Sequence, residues 1–316
     1  PETLMAFNQW DYPGNPYHDN PALKLRAFVT AAVKMIMLHD HLENHPDAPR
    51  RADLNAYQLV GFGSTYLGVK DLLPTKVQQA YEAGLLALGR MMLHWGVTGE
   101  APNNDMIVPV GLWYVARACS DADFARQVEQ FTRRLMTDPQ YFHPAGYWLE
   151  RGQGVDIGYG GMANFFAVWT ALMTDWPFAR EQVERAYRLR NHLCLTDPDG
   201  FVNGPSHFNS RLGSQASADQ WHWDGGRDYG AALVTDEALC FIVPPTTEQL
   251  QEAGANRASW FNAQIRQNPV RPDTLGRKSA LRTGYWANED LRGHTWTWRL
   301  WATYNFPATL NPGYEF

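Results

Sequence analysis

The sequence predicts a mainly α protein, an incomplete (α/α) toroid of helical hairpins ending in an irregular, aromatic-rich C-terminal segment. Three observations predict it. Apolar residues recur at helical spacing from about residue 23 to about residue 195. Segments with a charged face alternate with Gly- or aromatic-rich segments that carry few charges. These pairs return at intervals of roughly 45 to 55 residues, each reading as an outer amphipathic helix and an inner buried one. Both an open solenoid and a closed ring use such pairs.

Residues 1–21 are rich in turn formers and aromatics (Trp10, Tyr12, Tyr17) and predict an ordered coil leading into a helix. Asn20 is the expected N-cap, with Pro21 at the first helical position. From Leu23 to about Leu42 the apolar set Leu25, Phe28, Val29, Ala32, Val33, Ile36 and Met37 follows helical spacing. The next helix, about 55–72, is glycine-rich (Gly61, Gly63, Gly68). An amphipathic helix follows at 75–95. Residues 104–119 are apolar nearly all round, 121–136 are amphipathic again, 158–173 are apolar, and 177–195 return to charge. The stretch 228–243 fits a helix or a strand pair, 246–264 reads as a helix, and from 268 onward extended segments and an aromatic wrap fit equally. Two regions result: 1–265 as the toroid, and 266–316 packed on it.

Bulk properties exclude several functions. Lys and Arg number 27 against 33 Asp and Glu, a net charge of −6 with no long basic run, so the footprint of a nucleic-acid binder is missing. No apolar run reaches the roughly 20 residues that span a bilayer. Aromatics at 13% are abundant, and many of these rings are expected to line a site. Cys119, Cys194 and Cys240 lie among apolar neighbours without a CxxC pattern and read as buried thiols. The patch His39, His41, His45 reads as a helix end rather than a metal site, and no P-loop, HExxH, Gly-x-Ser-x-Gly or Rossmann pattern occurs. No metal and no organic cofactor is expected.

The chemistry-bearing residues fall into two groups. The first lies at the starts of the inner helices: Asn55 and Tyr57, then Asn103, Asn104 and Asp105, then Asp156 and Tyr159. In a ring of hairpins these starts open on one face, although taken singly Asn103, Asp105 and Asp156 read more readily as N-caps. The second group is the glycine-punctuated stretch 197–229. In it His207, Asn209 and Arg211 share one face if extended, and Trp221, His222, Trp223, Asp224 and Arg227 follow. A guanidinium can hold a carboxylate bidentately and keeps a nearby imidazole neutral. Indole faces suit the C–H face of a pyranose. A loop satisfying its own backbone and Trp residues packed in a core are the structural alternatives.

With its alternating hairpins, Asn103-Asn104, Gly158-Tyr159 and His207-x-Asn-x-Arg211, the region 20–240 resembles the (α/α) toroid domain of polysaccharide lyases, the broad group of chondroitin, alginate and heparinase II/III-like lyases. The resemblance implies β-elimination on a uronic-acid-containing glycan. It implies Asn104 and Arg211 on the substrate carboxylate, His207 as base and Tyr159 as acid. Asn209, Trp221, His222, Trp223, Arg227, Asn55, Tyr57 and Asp156 would bind the sugar. The expected partner is an anionic oligo- or polysaccharide, with no nucleic acid and no membrane span, and the expected location is secreted or periplasmic. Lyases of this group often carry β-sandwich domains after the toroid, and the part of this chain that follows the helical hairpins is short for one. Two other expectations stand beside this one. A glycoside hydrolase on a similar toroid would draw a carboxylate pair from Asp105, Glu150, Asp156 and Asp224, and a noncatalytic glycan-binding scaffold would bind without turnover.

Overall fold

The computed structural model describes residues 17–45, 51–150, 157–193, 195–196, 202–203 and 234–241, with Met5, Asn8 and Ala231. The protein is mainly helical, with seven helices longer than a single turn among the described residues. In chain order α1 is Pro21–Asn44, α2 Ala52–Val69, α3 Thr75–Trp95, α4 the single turn Pro102–Asp105, α5 Ile107–Cys119 and α6 Ala122–Thr137. After the hairpin β1 (Phe142–His143) and β2 (Tyr147–Trp148) come α7 (Ile157–Met173), α8 (Pro177–Leu193), a second hairpin β3 (Leu195–Thr196) and β4 (Val202–Asn203), and a 3-10 turn, Asp236–Phe241. These elements fall into two compact units. The first holds the described residues up to 46 and 61–82, the second those of 47–60 and 83–243, with the boundaries inside α2 and α3.

In the first unit, the Asn20 side chain caps α1 by accepting from Ala22 N and Leu23 N at 3.0 and 3.2 Å, and Pro21 opens the helix as its sequence predicts. Asn8 Nδ2 donates to the carbonyls of Tyr17 and Asn20. Met5 and Asn8 have helical backbone, a departure from the expected coil. Phe28 of α1 meets Tyr81 with centroids 4.9 Å apart, Tyr81 stacks on Tyr66 at 5.1 Å, and Tyr66 Oη donates to Glu82 Oε1 at 2.5 Å. The buried face of α1 is Leu23, Ala27, Phe28, Ala31, Met35, Leu38 and Leu42. This corrects the expected apolar face: Leu25, Val29, Val33, Ile36 and Met37 are 40–65% exposed. The helix is apolar on two opposite sides, and spacing alone selects the wrong one.

In the second unit the alternation holds. Helix α5 buries Ile107 to Leu112, Tyr114, Val115 and Ala118, and α7 buries Ala163, Phe165 to Trp169, Ala171 and Leu172, so both are enclosed nearly all round. Helix α6 buries one stripe only, Phe124, Val128, Thr132, Leu135 and Met136, and keeps its arginines outside. Asp121 caps α6 through Phe124 N at 2.8 Å and pairs with Arg90 of α3, while Arg133 of α6 lies 4.2 Å over the Phe178 ring of α8. Cys119 closes α5 and is half-buried, where its apolar neighbours suggest full burial.

The inner helices α2, α5 and α7 meet at three contacts. Gly111 of α5 lies against Ala56 of α2, so close that a Cβ there would sit 2.8 Å from the Ala56 carbonyl oxygen. Tyr114 of α5 packs edgewise on Trp169 of α7 at 6.2 Å, and Tyr57 of α2 on Phe166 of α7 at 5.9 Å. The partners in the first two pairs stand one repeat apart in sequence, and those in the third nearly two.

Among the described residues no helix is long and apolar enough to cross a membrane. None of their His, Cys, Asp and Glu form a group of three that could hold a metal ion.

Candidate functional site

Of the residues that the resemblance assigns to catalysis or sugar binding, Asn55, Tyr57, Asn104 and Tyr159 fall within the described elements, and all four belong to the second unit. Asn55 lies in the first turn of α2, largely buried, with Nδ2 donating to Arg51 O at 3.2 Å. Tyr57, half a turn on, is 41% exposed, yet burial of its phenol pushes the pKa to about 12. Asn104 is half-buried in α4, and its Oδ1 accepts from Asn103 Nδ2 at 3.1 Å. Tyr159 is the third residue of α7 and also half-buried. The single turn α4 packs along α7, so Asn104 and the helix that begins just before Tyr159 are neighbours.

The structure corrects the capping alternative at Asn103 and Asp105. Ala101 is the N-cap of α4, no side chain caps that turn, and Pro102 at its first position sets Asn103 and Asp105 inside it. Neither side chain caps the turn, and Asn103 Nδ2 donates instead to Asn104 Oδ1.

The candidates His207, Asn209, Arg211, Trp221, His222, Trp223 and Arg227 lie outside the described residues, as do Asp156 and Asp224. The flanks of their stretch are described, and they are informative. At one side the chain leaves α8 at Leu193 and enters the β3–β4 hairpin, paired Leu195 to Asn203 and Thr196 to Val202. At the other it returns to α8 itself. Asn191 Nδ2 donates to the Glu237 carbonyl at 2.7 Å and to its Oε2 at 3.1 Å, and Arg188 Nε donates to Glu237 Oε1 at 3.0 Å. The Arg188 hydrogen bond first, then that of Asn191, holds the Glu237 carboxyl below its usual range. Only Thr174, Asp175 and Trp176 join α7 to α8, so the two form an antiparallel hairpin, and the last turn of α8 lies beside the first turn of α7. Both flanks of the stretch therefore lie at the C-terminal end of α8.

Other groups are arranged less openly. Asp105 and Glu150 are 2% and 0% exposed. Asp105 lines a cavity with Pro102, Met106, Tyr141, Trp148 and Leu149 that has room for about one water molecule, far below a sugar. Buried carboxylates of this kind are poorly placed to act on a polymer, which disfavours the hydrolase expectation for this pair. The β1–β2 hairpin beside them went unread in the sequence. Its signal is Pro144-Ala145-Gly146 between aromatic pairs, with Gly146 at φ 102° and pressed against the Arg185 carbonyl. Trp148 Nε1 ties it to Asn164 Oδ1 of α7 at 2.7 Å.

Chemically, the described candidates are two amides, Asn55 and Asn104, and two phenols, Tyr57 and Tyr159, near the starts of α2, α4 and α7. Amides can hold a carboxylate and phenols can donate a proton. The Tyr57 phenol stays protonated throughout the neutral range. Comparison with protein-family models, curated proteins and solved structures finds no match to this chain.

Proposed function

We propose that this chain is a polysaccharide lyase that cleaves a uronic-acid-containing glycan by β-elimination, on an incomplete (α/α) toroid whose inner helices are α2, α5 and α7. One observation carries the reading. Residues one repeat apart meet at Ala56–Gly111 and Tyr114–Trp169, the contacts that stacked helical hairpins would make.

The difficult step is removal of the proton at C5 of the uronate, because the developing carbanion must be delocalised into the carboxylate. Asn104 and Arg211 are assigned to those oxygens. One such donor aimed at developing charge is typically worth about 2.7–4 kcal/mol. His207, assigned as the base, takes the C5 proton. The C4–O4 bond then breaks, Tyr159 Oη gives its proton to the departing oxygen, and the product carries a C4–C5 double bond. A positioned acid or base contributes roughly 10²- to 10⁴-fold. Asn55, Tyr57, Asp156, Asn209, Trp221, His222, Trp223 and Arg227 would hold the neighbouring sugars. Tyr57, with its pKa pushed to about 12, serves as a hydrogen-bond donor and not as a base. A polymeric substrate of this kind fits a secreted or periplasmic location.

The test is incubation with a panel of uronate polysaccharides, followed by the ultraviolet absorbance of the double bond conjugated to the carboxylate. Rising absorbance supports the proposal. Cleavage to saturated products, or binding without cleavage, overturns it.

A further inference from the structure

The end of α1 carries two histidines on one side. His41 and His45 stand four residues apart, about 40° round the helix, whereas His39 lies about 200° from His41. Both are exposed, and their ring centroids are 4.6 Å apart with the planes tilted by 31°. His45 closes the helix as its C-cap.

One hydrogen bond decides what the pair can do. The His41 carbonyl accepts from the His45 backbone N–H at 3.0 Å and from His45 Nδ1 at 3.1 Å. A carbonyl oxygen only accepts, so Nδ1 carries the hydrogen. The neutral His45 ring then keeps its lone pair on Nε2. A backbone carbonyl bonded to the other nitrogen is the support that metal-ligating histidines typically have.

The spacing fits as well. With metal–nitrogen bonds of about 2.0–2.1 Å, two imidazoles meeting one ion at about 90° hold their centroids roughly 4.5 Å apart. That angle suits the tetragonal coordination of Cu(II) and Ni(II). Histidines four apart on one helix face can close on a single ion by side-chain rotation alone. A cation is favoured there by the negative end of the helix dipole, and Asp40 and Glu43 stand exposed in the same turn.

We infer that His41 and His45 form a two-imidazole site for a divalent transition-metal ion, with copper(II) preferred. Water completes the coordination, so the site needs no third side chain. Nickel and zinc are held more weakly than copper(II), and calcium and magnesium, which take oxygen ligands, are not held. Spacing alone reads this patch as a helix end, and the tautomer of His45 is what points to a metal. The inference is independent of the lyase reading.

Calorimetric titration of the full-length chain with copper(II) sulfate tests it. Other histidines of the chain can also bind copper, so the readout is a difference between variants. His41→Asn and His45→Asn are each expected to lose one bound copper ion per chain relative to the wild type, and His39→Asn none. Both rings are exposed, so neither of the first two substitutions touches the packed face of α1. Equal copper stoichiometry in the wild type and both variants, a loss in one of the two alone, or the same loss in His39→Asn overturns the inference.

Discussion

Asn191 and Glu237, far apart in sequence, are joined by two hydrogen bonds, from Asn191 Nδ2 to the Glu237 carbonyl and to its carboxylate. Between them runs the stretch that carries His207, Asn209 and Arg211. The residue that follows it, Glu237, is therefore held within the last two turns of α8.

Asn191→Ala is expected to loosen that hold while leaving the inner helices intact. Amide hydrogen exchange should quicken at 234–241 and remain unchanged in α5 and α7, and cleavage of a uronate polymer should slow. The Glu237 carboxyl is held low in the fold, so its anchoring is present above the ordinary carboxylate range and lost as pH falls through the lowered value. Exchange at 234–241 should accordingly quicken in acid in the wild type. Glu237→Gln should show the fast rate at neutral pH as well.

Gly111→Ala tests the register of the inner helices. The added methyl would meet the Ala56 carbonyl at 2.8 Å, and two helix backbones cannot yield as a flexible side chain does. Overpacking of this kind typically costs about 1–3 kcal/mol. Urea denaturation should show a loss in that range, and an unchanged midpoint would mean that α2 and α5 are not in this contact.

Tyr57 gives a prediction at high pH. Its folded pKa of about 12 exceeds the ordinary 10.0, so the folded state holds the proton more tightly. The resulting stability is fully present below pH about 10 and is lost as pH rises through about 12. Spectrophotometric titration of phenolate should show a late-ionising fraction that falls by one tyrosine in Tyr57→Phe.

Substitutions at the site separate chemistry from folding. Asn104→Ala is expected to lower kcat by about 10² to 10³, the typical loss of one donor to developing negative charge. Tyr159→Phe and His207→Ala should each lower it by about 10² to 10⁴. Thermal unfolding should move little for the half-buried Tyr159. Hydrolysis through Asp105 would instead survive all three and fail in Asp105→Asn.

Much of this architecture is legible in the sequence, for a definite reason. Helices such as α5 and α7 are apolar on every side, and a one-sided helix such as α6 displays a clean stripe, so burial and exposure follow from composition alone. Helix α1 defeats the same reasoning because it is apolar on two sides, and periodicity cannot tell which side a neighbour occupies. Strands of two residues, as in β1 and β2, are too short to show a period, so only Pro144-Ala145-Gly146 marks them. Asn103 and Asp105 look like caps because a cap is a matter of one residue's backbone, and here Pro102 shifts the helix start ahead of both. The bonds from Asn191 and Arg188 to Glu237 join positions so distant in the chain that spacing carries no information about them.

The central claim, elimination in place of hydrolysis, is tested most directly by cleaving a uronate polysaccharide in water labelled with heavy oxygen and weighing the fragments. Elimination breaks the C4–O4 bond without adding water, so no label should enter and every new non-reducing end should carry a double bond. One labelled oxygen per cleavage, with saturated ends, would contradict it.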